Sequence, residues 1–407
     1  VFSSITQRFG SVRSLGSERL RLLGILTFGH VVIHWFQQML PVVLPSLKAG
    51  LGLSEVQVGA LTSSKQFVQG TLNLPSGMVA DLLGGYRAWI LTAALVFMGF
   101  AYLLMGASSF FVLIILGAGL VGLGSALWHP ASVASLSSRF PERRATALAI
   151  HGMGATLGDT LTPIAVGALL TAFPWESVLQ LQIIPGMLFG FLIWKSLAGF
   201  FGGSGAPAKP VKQIREIANL ATNPVFIGLS SARALMQMGR LLILTFLPIY
   251  LQEHLAYSPL VLGFYFALLH AMGSISQPIM GYLADRLGRK AVLVPSFATL
   301  GILYGLLTVA APGYQLGFVI GAIGLFFFTL MNITNVAVLD VAGSKIQASS
   351  YGLTSLVTQI VVFPTPIVGG FVIEGYGIFS AFLMAAAFVF LAALIVAPLR
   401  LPRGSSH

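Results

Sequence analysis

Hydrophobic positions along this chain come in long unbroken runs rather than in alternation. Twelve apolar stretches recur from end to end, at about 22–45, 56–80, 87–107, 110–137, 144–172, 177–200, 224–251, 259–283, 290–311, 314–340, 347–373 and 376–399. Each approaches the ~20 apolar residues that a membrane-crossing helix requires. A membrane β-barrel would read as short alternating segments, whereas these runs are continuous and rich in Leu, Gly and Ala, the small residues that let membrane helices approach closely. The pattern predicts an all-α membrane protein of twelve transmembrane helices.

The runs are organised as a duplication. At an offset of 203 to 204 residues Leu44-Pro45 recurs as Leu247-Pro248, Ser54 and Gly59 as Ser258 and Gly263, and Gly77 and Asp81 as Gly281 and Asp285; "TPIAVG" at Thr162 recurs as "TPIVGG" at Thr365. Two pseudo-twofold-related six-helix halves follow, with domains at 1–21 (tail), 22–200 (first half), 201–223 (polar linker), 224–399 (second half) and 400–407 (tail). The end, "LPRGSSH", resembles a protease-site remnant left by recombinant expression, and the start, Val1 to Leu20, is polar and basic and suggests an incomplete chain.

Composition sharpens this picture. Hydrophobic residues make up 56% of the chain and charged ones 8%, with net charge +11 and mean hydropathy +0.91, outside the range of soluble domains. The basic residues fall in alternate loops, with Lys48 alone in the opposite set, so the charge reports membrane orientation and not nucleic-acid binding. Both termini are expected in the cytoplasm. The absence of cysteine excludes disulfides and thiolate metal sites.

The sharpest loop motif is "GYLADRLGRK", Gly281 to Lys290, carrying Asp285, Arg286, Gly288 and Arg289; a weaker copy, "GMVADLLGGYR", spans Gly77 to Arg87 and holds Asp81. An Asp beside Arg offers an ion pair at a helix end, able to latch one face of the bundle. Doubled across twelve helices, this pattern resembles the signature loop of the major facilitator superfamily. The first copy departs from it, since Leu82 occupies a basic position and Arg87 is displaced. "MLPVVLPSLKAGLGLSEVQVGALT" from Met39 and "GLGSALWHP" from Gly122 are similar to the fosmidomycin-resistance branch, which exports drugs against a proton gradient. The resemblance implies a bacterial inner-membrane transporter that needs no cofactor.

Ionisable residues inside lipid are costly and call for a reason. Lys65 lies mid-run in the second segment, Asp159 in the fifth, Arg233 and Arg240 in the seventh, with His30 and His34 in the first, His129 in the fourth, His151 in the fifth and His270 in the eighth. At 100° per residue His30, His34 and Gln37 share one helix face, as do Arg233, Gln237 and Arg240. The offset of 203 superimposes the two stripes. Positions so related face each other across the midplane of a duplicated transporter.

The expected substrate-binding set is therefore His30, His34, Gln37, Lys65, Arg233, Gln237 and Arg240, extended by Asn332, the offset partner of His129, and by Gln359. Buried structural histidines and a His pair for metal are the competing readings. The excess of positive charge disfavours metal and favours an anion, which Arg pairs through its planar fork of donors. Asp159 is the expected proton-coupling group, with His151 and His270 as relays or, alternatively, with Asp159 in a structural ion pair. No P-loop, G-x-S-x-G or H-E-x-x-H occurs, so no enzyme is expected. The reading is a monomeric secondary transporter, with proton-coupled export of a small organic anion or drug-like compound; uptake or exchange of an anionic metabolite, a passive facilitator and a metal transporter are the alternatives.

Overall fold

The computed structural model describes residues 16–199, 222–342 and 347–401. The linker expected at 201–223 falls almost wholly outside the described residues, as do most of both tails. The helices are α1 (Ser17–Leu51), α2 (Glu55–Leu82), α3 (Arg87–Gly106), α4 (Phe111–Arg139), α5 (Arg144–Ala172), α6 (Trp175–Gln180) and α7 (Ile183–Leu197), followed by α8 (Pro224–Ile249), α9 (Pro259–Leu287), α10 (Arg289–Leu306), α11 (Tyr314–Phe327), α12 (Thr329–Ala342), α13 (Gln347–Val362), α14 (Thr365–Tyr376) and α15 (Phe379–Val396).

Nine described segments are long and apolar enough to cross a membrane. The expected first, second and ninth runs are helical too, but Gln37, Gln38, Lys65 and Gln66 on α1 and α2, and the Arg289-Lys290 start of α10, dilute their hydropathy. Three expected runs are broken helices: α6 and α7 meet at Leu181, α11 and α12 at Phe328, and α13 and α14 at Phe363. Pro364 and Pro366 account for the last break, since neither supplies an N–H and proline disfavours helix at the preceding residue.

The repeat is visible in local chemistry. Ser54 closes a capping box with Gln57 at the start of α2, and its offset partner Ser258 caps α9 by accepting from Val261 N–H at 3.3 Å. Each cap satisfies backbone donors that the first helical turn leaves unpaired.

Within the first half α1 packs on α5, α2 and α3 on α4, and α3 on α7; in the second, α15 packs on α8 and α10, and α9 on α11. The halves meet through two equivalent pairings, α2 with α14 and α5 with α9. These pairings are backbone-tight at one end of the bundle, called here the Lys48 face. A Cβ on Gly59 would lie 2.1 Å from the Pro366 carbonyl oxygen, and one on its partner Gly263 would lie 2.2 Å from that of Pro163. Thus the Thr-Pro motifs of each half are the surfaces on which the other half's glycines close. Lys48 adds a charged bridge, with Nζ 2.7 Å from Glu55 and 2.5 Å from Glu253 of the opposite half. Burial disfavours the Lys48 charge, but the two carboxylates outweigh it and its pKa is raised.

At the other end, the motif face, the ion pairs stay within each half. Arg87 pairs with Asp81 at 3.6 Å and donates to the Ala80 carbonyl at 3.0 Å, so the displaced Arg87 does serve the first motif copy. In the second copy the partner of Asp285 is Arg289, one helical turn on, and not the adjacent Arg286, which reaches the Tyr282 hydroxyl at 3.3 Å. Arg289 also contacts Asp340 at 3.4 Å. Gly77 approaches only Pro130 of its own half, Gly281 has open space beside it, and Gly288 takes φ +94°, which ends α9. The bundle is closed at its Lys48 face, and among the described residues no motif pair joins the halves at the other.

Candidate functional site

Polar residues from both halves line a central cavity of about 430 Å³. The first half supplies Gln37 and Gln38 from α1, Lys65, Gln66, Gln69 and Asn73 from α2, and His129 from α4; the second supplies Arg233, Gln237 and Arg240 from α8, Asn332 and Asn335 from α12, and Ser355 and Gln359 from α13. Residues 65, 66, 69 and 73 form one helical stripe, as do 233, 237 and 240. Among the described lining residues there is no Asp or Glu.

Each cation is oriented by a different set of groups. Lys65 Nζ donates to the Gln37 backbone carbonyl at 2.9 Å. Arg233 donates to Ser355 Oγ at 3.3 Å. The Arg240 guanidinium lies 4.9 Å and 4.8 Å from the ring centroids of Phe327 and Phe328, at the break between α11 and α12. Cation–π contact of this kind contributes about 2 kcal/mol when desolvated. It orients Arg240 without using its donors, and its Nε has no hydrogen-bond partner. Gln66 donates to Gln359 across the halves, and Asn332 donates to Gln277 at 3.0 Å.

Most of the expected set converges here: Gln37, Lys65, Arg233, Gln237, Arg240, Asn332 and Gln359 all line the cavity. His30 and His34 do not. The structure moves them off the cavity wall into a cluster between α1 and α5, because the two helices are nearly in backbone contact there. A Cβ on Gly154 would lie 2.3 Å from the Thr27 carbonyl oxygen, and one on Gly158 would lie 2.6 Å from the His34 Cβ. Two glycines one turn apart give a flat helix face, and the histidines fill the space beside it.

In that cluster His34 Nδ1 and Gln38 Nε2 both reach Asp159 Oδ1 at 2.7 Å. The buried carboxylate is therefore held by two side chains of α1. His30 and His151 stack with centroids 4.0 Å apart, and His30 Nδ1 lies 2.9 Å from the His151 carbonyl. His270 stands apart on α9, its Nδ1 bonded to the Phe266 carbonyl at 2.7 Å and its ring against Phe328. Gln38 was missed because it falls off the stripe of His30, His34 and Gln37. Its position four residues after His34 is the signal, since that spacing lets both reach one acceptor.

A duplicated helical bundle, closed at one face around a polar cavity at its centre, defines a membrane transporter and not an enzyme. The Major Facilitator Superfamily model matches residues 26–365, with a second match over 229–407, and the chain belongs to that family. It is 32% identical over 158 residues to the "Multi-drug resistance efflux pump PmrA" of Streptococcus pneumoniae, covering 38% of this chain and 39% of the pump. It is 24% identical over 152 residues to the "Fosmidomycin resistance protein" of Escherichia coli, covering 37% of each. Over 396 residues it is 24% identical to the "Probable galactarate/D-glucarate transporter GudP" of Bacillus subtilis, covering 87% of each. The chain thus spans well under half the length of the two resistance proteins in its matches to them.

Proposed function

We propose that this protein is a secondary active transporter that exports a small organic anion by alternating access, coupled to protons, with the motif face in the cytoplasm. The observation that carries the anion is the cavity wall, where Lys65, Arg233 and Arg240 converge with no Asp or Glu among the described lining residues. Fixed cations lining a cavity favour a negative ligand, and Arg240, held by aromatic faces, keeps its N–H donors for it. The relation to a carrier named for two sugar diacids agrees with this. Export rests on the likeness to a protein named as an efflux pump, and proton coupling on the fosmidomycin-branch resemblance of Met39–Thr62 and Gly122–Pro130. The orientation rests on the distribution of Lys and Arg between loops.

The test is transport in proteoliposomes, screening carboxylates, phosphates and phosphonates with and without a pH gradient. Arg240→Ala is expected to weaken binding of the transported anion by about 10- to 100-fold, the value of a charge-assisted hydrogen bond of about 1.5 to 3 kcal/mol. Arg233→Ala is expected to have a smaller effect, because Arg233 already bonds Ser355. Unchanged affinity in both variants rules out the anion site, and transport indifferent to a pH gradient rules out the coupling.

A further inference from the structure

The three histidines His30, His34 and His129 share an arrangement that anion transport does not explain. One ring nitrogen of each lies within 4.8 Å of those of the others. Their ring centroids are 4.8 Å (His30 to His34), 5.4 Å (His30 to His129) and 5.9 Å (His34 to His129) apart, with interplanar angles of 79°, 77° and 74°. Three imidazoles bound tetrahedrally to one ion through bonds of about 2.0 to 2.1 Å would have centroids about 5 Å apart, close to these spacings.

The hydrogen bonds of the three rings point the same way. His34 Nδ1 is 2.7 Å from Asp159 Oδ1, His30 Nδ1 is 2.9 Å from the His151 carbonyl, and His129 Nδ1 is 2.8 Å from the Ser125 carbonyl. A carboxylate or carbonyl accepts only from a protonated nitrogen, so all three rings carry a proton on Nδ1, and each in its neutral form presents an unprotonated Nε2. Outer partners that fix the tautomer in this manner are the usual second shell of metal-bound histidine. His30 Nε2 is moreover buried without a hydrogen-bond partner, an omission that costs stability unless something fills it. His151 is not one of the three; it stacks flat on His30.

We infer that His30, His34 and His129 form a binding site for one first-row transition-metal dication of the zinc type, with Asp159 orienting His34 and offsetting part of the charge. Three neutral imidazoles without a carboxylate ligand suit Zn²⁺, Co²⁺, Ni²⁺ or Cu²⁺ and do not suit Mg²⁺ or Ca²⁺, which take oxygen ligands. His129 also lines the cavity, so the ion enters from there, and the fourth coordination position is available to water or to an anion in the cavity. The site stands independently of which anion is carried.

The test uses the purified full chain stripped with chelator, free of any affinity tag and with His407→Ala, titrated with Co²⁺ and then displaced by Zn²⁺. One Co²⁺ per chain is expected, with the visible absorption of tetrahedral coordination, and with no competition from Mg²⁺. His30→Gln, His34→Gln and His129→Gln are each expected to abolish the band. Asp159→Asn is expected to keep the band and weaken affinity about 10- to 100-fold, and His270→Gln to change nothing. Folded wild-type protein that binds neither Co²⁺ nor Zn²⁺ at micromolar concentration overturns the proposal whatever the variants do. So does binding that survives unchanged in His34→Gln and His129→Gln.

Discussion

The closure of the Lys48 face depends on two glycines, and adding one carbon to each should force it open. A Cβ at residue 59 would sit 2.1 Å from the Pro366 oxygen, 2.5 Å from its carbonyl carbon and 2.8 Å from Ile367 N, all backbone atoms that cannot rotate aside. Ordinary contact begins near 3.4 Å, so Gly59→Ala demands a shift of 1.3 Å between α2 and α14, and Gly263→Ala a shift of 1.2 Å between α9 and α5. Overpacking of this kind costs about 1 to 3 kcal/mol, and here the cost falls only on the state in which the halves touch. Each substitution is expected to shift the equilibrium away from Lys48-face closure by roughly 5- to 150-fold at 1.4 kcal/mol per decade. The two contacts share no residues, so the double variant should approach the sum. Because the chain has no cysteine, Ser109→Cys and Ala311→Cys can be spin-labelled in loops at that face without background removal, and their distance distribution should gain a longer population. Gly152→Ala is the control, since nothing lies within 4 Å of its position. Helix propensity favours Ala over Gly by about 1 kcal/mol, so thermal stability should not fall. An unchanged distribution in both Gly59→Ala and Gly263→Ala would show that the glycine contacts do not set the closed state.

Lys48→Met should also loosen the Lys48 face, by about 1 kcal/mol or roughly fivefold in the same distance measurement, through loss of the Glu253 and Glu55 contacts. Its pKa is raised in the closed state, so the bridge is fully present below the ordinary lysine value of 10.5 and is lost as pH climbs through the raised one. Between pH 6 and 9 the Lys48-dependent part of closure should therefore be flat, which a pH series comparing wild type with Lys48→Met checks directly. Arg289→Ala removes the contacts to both Asp285 and Asp340, whereas Arg286→Ala removes only a long contact to Tyr282. A larger increase in protease accessibility of the motif face is expected for Arg289→Ala; equal effects would contradict the assignment of Arg289 as the motif's paired arginine.

The repeat carried much of the fold and cavity into plain sequence. Ser54 with Ser258, Gly59 with Gly263 and the two Thr-Pro motifs were visible as an offset, and in the structure they are the caps and contact surfaces of the two interfaces. The arginine stripe at 233, 237 and 240 was equally legible, since a 3.6-residue period places those side chains on one face whatever surrounds them. His30 and His34 failed the same reasoning for a definable cause. Spacing gives the angle a residue takes about its own helix, but not which neighbouring helix covers that angle at a given depth. Gly154 and Gly158 bring α5 over the His30 and His34 part of the α1 stripe, while Gln37 and, further along the helix, Leu40, Pro41 and Leu44 face the cavity. One sequence shows the two glycines on α5 but not the helix they press against. The breaks at Leu181 and Phe328 were likewise invisible, because no proline stands at either position.

The placement of the histidine cluster has a kinetic meaning. His30, His34, His129, His151 and Asp159 all belong to helices of the first half, α1 and α5 being joined by their glycine seam and His129 standing beside them on α4. The wall of the cavity is divided, with Lys65 and Gln37 on one half and Arg233 and Arg240 on the other. Under the proposed anion transport, rocking of the halves would break and remake the anion's contacts in every turnover, while the cluster would travel as a passenger inside a single rigid body. On that proposal whatever occupies it would persist over many cycles, setting the electrostatic background against which each anion is taken up and released.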